Sequence, residues 1–288
     1  MFDAHIHYYY GPSDTPQEFL KKAASANING GIIFTVAPEK TLGRFEGDYR
    51  WEARMEHLLE FTSQTPGFYP FFWINPTAED FEKQIAAAVD KGFYGFKIIC
   101  ENYPPEACLP ACRVIAQTGK PVMFHTGILG SSRDRLATPF TKPSLYEIMF
   151  SVKDLHFSLA HLGWPWMDDY MAMVSKAFFT EDEEFNNKIY YDLAPGTPGI
   201  NREDGLRKLY LTAYLVKKRV LWGTDSIAND YDPRLPLYWQ ERDYPIMQRI
   251  TADAEIPRQP FDDHAPDLSD IWELATEKNW RDFLGIDK

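Results

Sequence analysis

Phe2-Asp3-Ala4-His5-Ile6-His7 is the stretch whose reading decides the fold. It is a short apolar run in which every second residue is an acid or an imidazole. Side chains on an extended strand alternate between two faces, so Asp3, His5 and His7, at i, i+2 and i+4, are expected to point the same way. In a barrel that way is inward, with His7 nearest the C-terminal rim. The strand rise sets two such imidazoles about 6–7 Å apart at their Cα atoms, near enough to converge on one ion. Taken alone, the pattern reads equally well as a half-buried strand carrying incidental histidines.

Working outward from this run, similar apolar stretches recur at residues 31–37, 68–75, 92–99, 121–126, 156–161, 188–193 and 219–224. Most show no polar alternation, the pattern of strands buried on both faces of a parallel sheet. Helical stretches lie between them, at 15–26, 78–91, 106–117 and 202–217, with a last helix at 270–284. They open near Pro, Ser, Thr or Asp, and several close near Gly. Eight strands, each followed by a helical stretch, predict a (β/α)₈ barrel, which typically takes about 250 residues. An open doubly wound sheet is the alternative, but no GxGxxG turn follows the first strand. No linker or composition shift divides residues 1–288, so a single domain is expected. The loops 42–48, 128–143 and 227–237 follow strands and belong on the C-terminal rim, where barrels do chemistry. Residues 251–268 read as a polar surface wrap.

Composition narrows the class. The 288 residues hold 44% hydrophobic and 15% aromatic side chains, ample for a large core and too apolar for disorder. Thirty Lys and Arg against 42 Asp and Glu leave a net charge of −12, which disfavours nucleic acid as a partner. No apolar run approaches the roughly 20 residues of a membrane span. The first residues show no secretory pattern. Cys100, Cys108 and Cys112 form neither a CxxC pair nor an even set, so no disulfide framework is expected. A soluble cytoplasmic globular protein is the resulting expectation.

The first strand's pattern gains weight because it recurs at one structural address. His125 ends Pro121-Val122-Met123-Phe124-His125, His161 ends Phe157-Ser158-Leu159-Ala160-His161, and Asp225 ends Val220-Leu221-Trp222-Gly223-Thr224-Asp225. Four of the seven histidines thus fall on the first strand or at a strand end, and an aspartate follows the last strand. Buried imidazoles and carboxylates are costly unless they bind or pair with something. The bland alternatives are satisfied barrel-interior histidines and, for Asp225, a helix N-cap shared with Ser226. Imidazole and carboxylate donors suit Zn²⁺, and also Mn²⁺, Fe²⁺ or Co²⁺. Asp225 is then both a ligand candidate and a proton acceptor. His161 is a candidate to polarise a substrate carbonyl or to exchange a proton. Asp3 is placed as a partner behind the ligands. His57, His156 and His264 receive no role. Arg133, Arg135 and Lys142, on the loop after the fifth strand, and Arg234, after the eighth, would suit a carboxylate-bearing substrate, or are ordinary solvated charges. Trp164 and Trp166, with Tyr8, Tyr9 and Trp73, are candidates for an aromatic pocket wall or plain packing.

These residues resemble the amidohydrolase superfamily, in its amidohydrolase-related branch, which also holds aminocarboxymuconate-semialdehyde and γ-resorcylate decarboxylases. The likeness rests on Phe2-Asp3-Ala4-His5-Ile6-His7, Val122-Met123-Phe124-His125-Thr126-Gly127, Leu159-Ala160-His161-Leu162-Gly163, Tyr191-Asp192-Leu193-Ala194 and Leu221-Trp222-Gly223-Thr224-Asp225-Ser226, and on Asn279, Arg281, Phe283, Leu284 and Gly285 of the last helix. Each motif is weak alone, but the ordered set is specific and spans residues 2–286. The resemblance implies a metal-bearing TIM barrel without an accessory β-domain. It implies His5, His7, His125 and Asp225 as metal ligands and His161 as a catalytic or second-metal histidine. Lys97 is open to three readings: a carboxylated bridge between two metals, a contact to a substrate carboxylate, or a structural lysine. A mononuclear site is favoured, most simply Zn²⁺, with a binuclear one left open. The resemblance also suggests a homodimer. The functions implied are a metal-dependent hydrolase of an amide, ester or lactone, or a non-oxidative decarboxylase on the same site. A metal-free binding protein is the non-enzymatic alternative.

Overall fold

Residues 1–11, 13–38, 45–129, 138–180, 185–212, 214, 216–253 and 267–286 are described by the structure, a computed structural model. The apolar runs become the strands β1 Phe2–His7, β2 Gly30–Phe34, β3 Phe68–Trp73, β4 Gly95–Ile98, β5 Val122–Phe124, β6 His156–Leu159, β7 Lys188–Asp192, β8 Val220–Leu221 and β9 Ser226–Ile227. Every pairing is parallel, in the order β8-β7-β6-β5-β4-β3-β2-β1-β9. The two ends of that order are neighbours in the chain. The Ala4 N–H donates to the Trp222 carbonyl at 2.9 Å, and the Asp225 N–H to the His5 carbonyl at 2.9 Å. Residues 220–227 therefore act as one interrupted eighth strand, bonded to β7 on one side and β1 on the other. The sheet closes into the expected (β/α)₈ barrel, with no free edge left in the ring.

Helices follow the strands: α1 Pro16–Ser25, α2 Trp51–Thr62, α3 Phe81–Asp90, α4 Leu109–Gln117, α5 Met167–Thr180, α6 Arg202–Tyr210 and α7 Arg234–Asp253. After β5 a 3₁₀ segment, Pro143–Ser151, takes the helix's place. The chain ends in α8 Ile271–Glu273, a π turn Leu274–Lys278 and α9 Asn279–Leu284. Thr15 and Glu18 bond each other's backbone and start α1 at the predicted point. The helix predicted from residue 78 begins only at Phe81, because Asn75 Oδ1 accepts from the Thr77 amide and hydroxyl and folds a side-chain turn instead. The predicted loop 227–237 is shorter than expected: it ends where α7 opens at Arg234.

Apolar side chains form two main layers. Ile6, Ile33, Phe72, Phe96, Ile98, Phe124, Phe157 and Leu159 face the helices. Ala4, Ile32, Phe34, Phe71, Met123, Tyr190 and Leu221 fill the interior. Helix α9 closes the N-terminal end of the barrel. Trp280 stacks on Phe2 with ring centroids 4.0 Å apart, and Phe283 packs against Tyr190 at 4.9 Å. Apolar packing fills the middle of that end, with the Tyr190 hydroxyl bonded at its margin to Asp282, and the candidate site residues gather at the other.

Strict alternation would put Asp3, His5 and His7 on one face, and here the structure differs. Phe2 and Asp3 pair with Gly30 and Gly31, whereas Ile6 and His7 pair with Ile33 and Phe34, so β1 carries one extra residue between Asp3 and Ile6. Such an irregularity re-aims the side chains on either side of it. Before it Phe2 and Ala4 point inward; after it His5 and His7 do. Asp3 is left off their face, bonded to Thr224 and to the His5 amide. No helix among the described residues is long and apolar enough to cross a membrane.

Because Phe283 is fully buried and is the central plug of the barrel floor, Phe283→Ala is expected to cost about 3–5 kcal/mol in urea unfolding. A loss under about 1 kcal/mol would show that the floor repacks.

Candidate metal centre

The groups singled out at strand ends meet at the C-terminal mouth of the barrel. His5 and His7 come from β1, Lys97 from β4, His125 from the residue after β5, His161 from just beyond β6, Asp192 from the last position of β7, and Asp225 from the gap between β8 and β9. Two of them arrive by unusual backbone. His161 has φ +64° with Leu162 at +50° beside it, and Asp225 has φ +59°. Such conformations cost non-glycine residues about 1–3 kcal/mol and cluster at functional sites. For His161 the turn is what brings an odd-numbered side chain to a mouth that Ser158 and Ala160 would otherwise face. Gly196 and Gly223 make room. A Cβ on Gly196 would stand 2.6 Å from His161 Cβ, and one on Gly223 would stand 2.8 Å from His5 Cβ.

One ligand atom each from His5, His161 and Asp225 lies within 4.8 Å of the others. Asp225 Oδ1 is 3.5 Å from His5 Nε2 and 3.2 Å from His7 Nε2. The His125 ring joins through His161, at 4.7 Å between centroids. Lys97 Nζ is fully buried, 3.4 Å from His5 Nε2 and 4.8 Å from the centre of the Phe34 ring. Asp225 opens to solvent, its side chain 38% accessible. Its carboxylate contacts His7 rather than a helix start, so it is not a helix N-cap.

A group absent from the sequence reading's site residues orders this constellation. Asp192 Oδ2 lies 2.5 Å from His5 Nδ1, and Asp192 Oδ1 accepts the Ala194 amide at 2.6 Å. The Ala194 carbonyl, 3.3 Å away, accepts from His161 Nδ1. The end of β7 thus accepts a hydrogen bond from Nδ1–H of both imidazoles and leaves each Nε2 lone pair turned toward the mouth. The signal was present in the sequence: Asp192 ends its apolar run as His125 and Asp225 end theirs.

Electrostatics favour the forms a metal needs. Burial lowers the His5 and His125 pKa values well below the ordinary imidazole range and takes His161 to about 3, so all three are neutral at pH 7. Desolvation by the barrel wall opposes ionisation of Asp225, but the His7 hydrogen bond and the imidazoles around it outweigh that and hold its carboxyl well below the usual range. Burial raises Asp192 to about 6 and Asp3 to about 7, and lowers Lys97 to about 8. His7 Nδ1 and His125 Nε2 are buried without a hydrogen-bond partner. A buried nitrogen left unsatisfied costs about 1–3 kcal/mol. Neutral imidazoles, an ionised carboxylate and an orphaned Nε2 on His125 fit a divalent cation.

Arg133, Arg135 and His264 lie outside the described residues. Arg234 is exposed and paired with Asp232, and Lys142 sits over the Trp166 ring. Trp164 and Trp166 line a surface cleft with Asp168, Asp204 and Lys208, and no candidate ligand is among its lining residues. Tyr8 points away from the mouth, its hydroxyl 3.1 Å from His57 Nδ1. Trp73 and Tyr9 flank His7, with ring centroids 5.6 and 5.8 Å from it.

The family model described as Amidohydrolase matches residues 2–282. The fold is similar to that of a zinc-bound amidohydrolase from Burkholderia multivorans, with TM-score 0.63, 9% identity, and 99% of this chain and 98% of that one covered. It is also similar to 4-oxalomesaconate hydratase from Rhodopseudomonas palustris, with TM-score 0.56, 13% identity, and 99% and 96% covered. Among curated proteins none matches the sequence.

Asp192→Asn offers His5 Nδ1 an amide that can present either a donor or an acceptor. Zn²⁺ affinity is expected to fall about 10–100-fold, read by competition with a chromophoric chelator. An unchanged affinity would remove Asp192 from the site.

Proposed function

The chain belongs to the amidohydrolase family, and on that premise we propose that it is a metal-dependent hydrolase. Its substrate would be a small carboxylate-bearing molecule with an amide, ester or lactone bond. The observation that carries this reading is the convergence of His5, His161 and Asp225 donor atoms within 4.8 Å, with His7 bonded to the same aspartate. His5, His7, His125 and Asp225 would hold one ion, most simply Zn²⁺, with Mn²⁺ or Fe²⁺ as alternatives. A divalent ion in such a site supplies Lewis acidity, bringing the pKa of an adjacent water toward about 7.

The protein's own groups divide the remaining work. Asp225, held ionised and open to solvent, accepts the attacking water's proton. His161 stays neutral with its Nδ1–H held by the Ala194 carbonyl, so its Nε2 lone pair accepts a hydrogen bond from water or substrate at the mouth, while the proton taken up by Asp225 passes on to the leaving group. Trp73 and Tyr9 shield His7 and narrow the mouth. Lys97, whose Nζ stands 3.4 Å from His5 Nε2, would be the contact for a substrate carboxylate.

Protein purified without chelator is expected to carry about one ion per chain by elemental analysis, as the four-ligand site implies. Chelation should abolish cleavage across a lactone, ester and amide panel, and Zn²⁺ or Mn²⁺ should restore it. Asp225→Asn should lower kcat by about 10²–10⁴-fold, the range for losing a positioned base. Release of carbon dioxide from an unsaturated or aromatic acid, without hydrolysis, would move the chemistry to decarboxylation on the same ligands. Two ions per chain, with the second lost in Lys97→Met, would replace the mononuclear site by a bridged one. No bound metal and no rebinding would overturn the reading.

A further inference from the structure

We propose that the buried Arg202–Asp243 ion pair is a positioning device for the metal centre, tying the ends of β7 and β8 together and so fixing the aim of His5 and His161. The inference rests on the metal-site reading above and adds residues outside the ligand set.

Both side chains are fully buried. Arg202, the first residue of α6, makes a two-pronged contact to Asp243 of α7: Nε to Oδ1 at 2.8 Å and Nη2 to Oδ2 at 2.7 Å. The Trp239 ring lies beside the guanidinium, its centroid 5.1 Å from Cζ. Each member of the pair then grips a different strand end. Arg202 Nη2 donates to the Leu193 carbonyl at 2.7 Å, and Asp243 Oδ2 accepts from Trp222 Nε1 at 3.1 Å. Leu193 stands between Asp192 and Ala194, the two residues that accept the Nδ1–H hydrogen bonds of His5 and His161. Trp222 precedes Gly223, whose missing Cβ lets His5 approach, and its carbonyl bonds β1 at Ala4. The Leu193 amide donates to the Leu221 carbonyl at 2.8 Å and completes the frame.

Stability alone does not account for this arrangement. A buried ion pair contributes little beyond well-packed apolar residues of similar volume, and is often the less stable choice. What a guanidinium–carboxylate fork adds is direction, since its donors and acceptors meet in one plane. Here that direction is delivered to one backbone carbonyl and one indole, on the two strands that carry Asp192 and Asp225.

The test compares Arg202→Met/Asp243→Leu, which keeps bulk and removes the fork, with Arg202→Lys, which keeps the charge and removes its planar geometry. Two readouts are taken: Zn²⁺ affinity by chelator competition, and the downfield Nδ1–H resonance of His5 in metal-free, ¹⁵N-histidine-labelled protein. The double variant is expected to unfold cooperatively, bind Zn²⁺ about 10–100-fold more weakly, the range for groups that orient ligands, and lose or shift the His5 resonance upfield. Arg202→Lys should move both readouts the same way by less. If a folded variant keeps both the affinity and the resonance of the native protein, the proposal is overturned. If the native protein binds no Zn²⁺ yet the resonance still shifts in Arg202→Lys, the metal reading fails and the positioning role stands. Should the double variant not fold, Arg202→Lys decides alone by the same two readouts.

Discussion

Ring closure is the constraint on which the rest depends. The bonds from Ala4 to Trp222 and from Asp225 to His5 bring the first strand against the last. With every strand parallel, closure forces all the C-terminal strand ends onto one rim. Groups separated by more than 200 residues of chain then share a few ångströms of space. At the other end Phe2, Trp280 and Phe283 pack together and plug the barrel.

Within that frame, burial does two jobs. It keeps the imidazoles of His5, His125 and His161 neutral, and it makes any unpartnered nitrogen expensive. The structure answers the second demand unevenly. His5 and His161 are satisfied on Nδ1 by the end of β7, whereas His125 Nε2 and His7 Nδ1 are not satisfied at all. A set of oriented lone pairs beside an ionised carboxylate is the natural host of a cation, and backbone strain at His161 and Asp225 is tolerated to build it.

The end of β7 links the site to the outer helices. Asp192 and Ala194 face the mouth, and between them Leu193 offers its carbonyl to Arg202 on the helical layer. A barrel strand has two faces, so one short segment can hold the ligands on one side and be held from the other. On the proposed reading, the aim of His5 and His161 is coupled to the packing of α6 on α7 through that carbonyl.

Much of this was legible in the sequence. The apolar runs placed the strands, and their order and spacing implied the barrel. Because strand ends are where a parallel barrel must expose polar groups, His125, His161 and Asp225 stood out at the end of their runs. Asp192 obeyed the same rule, and a consistent use of it would have marked that residue too. Other features could not be read from the chain alone. The extra residue in β1, which separates Asp3 from His5 and His7, follows from register against β2 and has no local sequence mark. The pairing of Arg202 with Asp243, 41 positions apart, exists only once α6 and α7 pack side by side. Local pattern determined which residues are buried and at which strand end they emerge, because side-chain periodicity is a property of the strand itself. Tertiary structure alone decided which of them touch, because contact depends on register, backbone handedness and ring closure, and these arise only between segments.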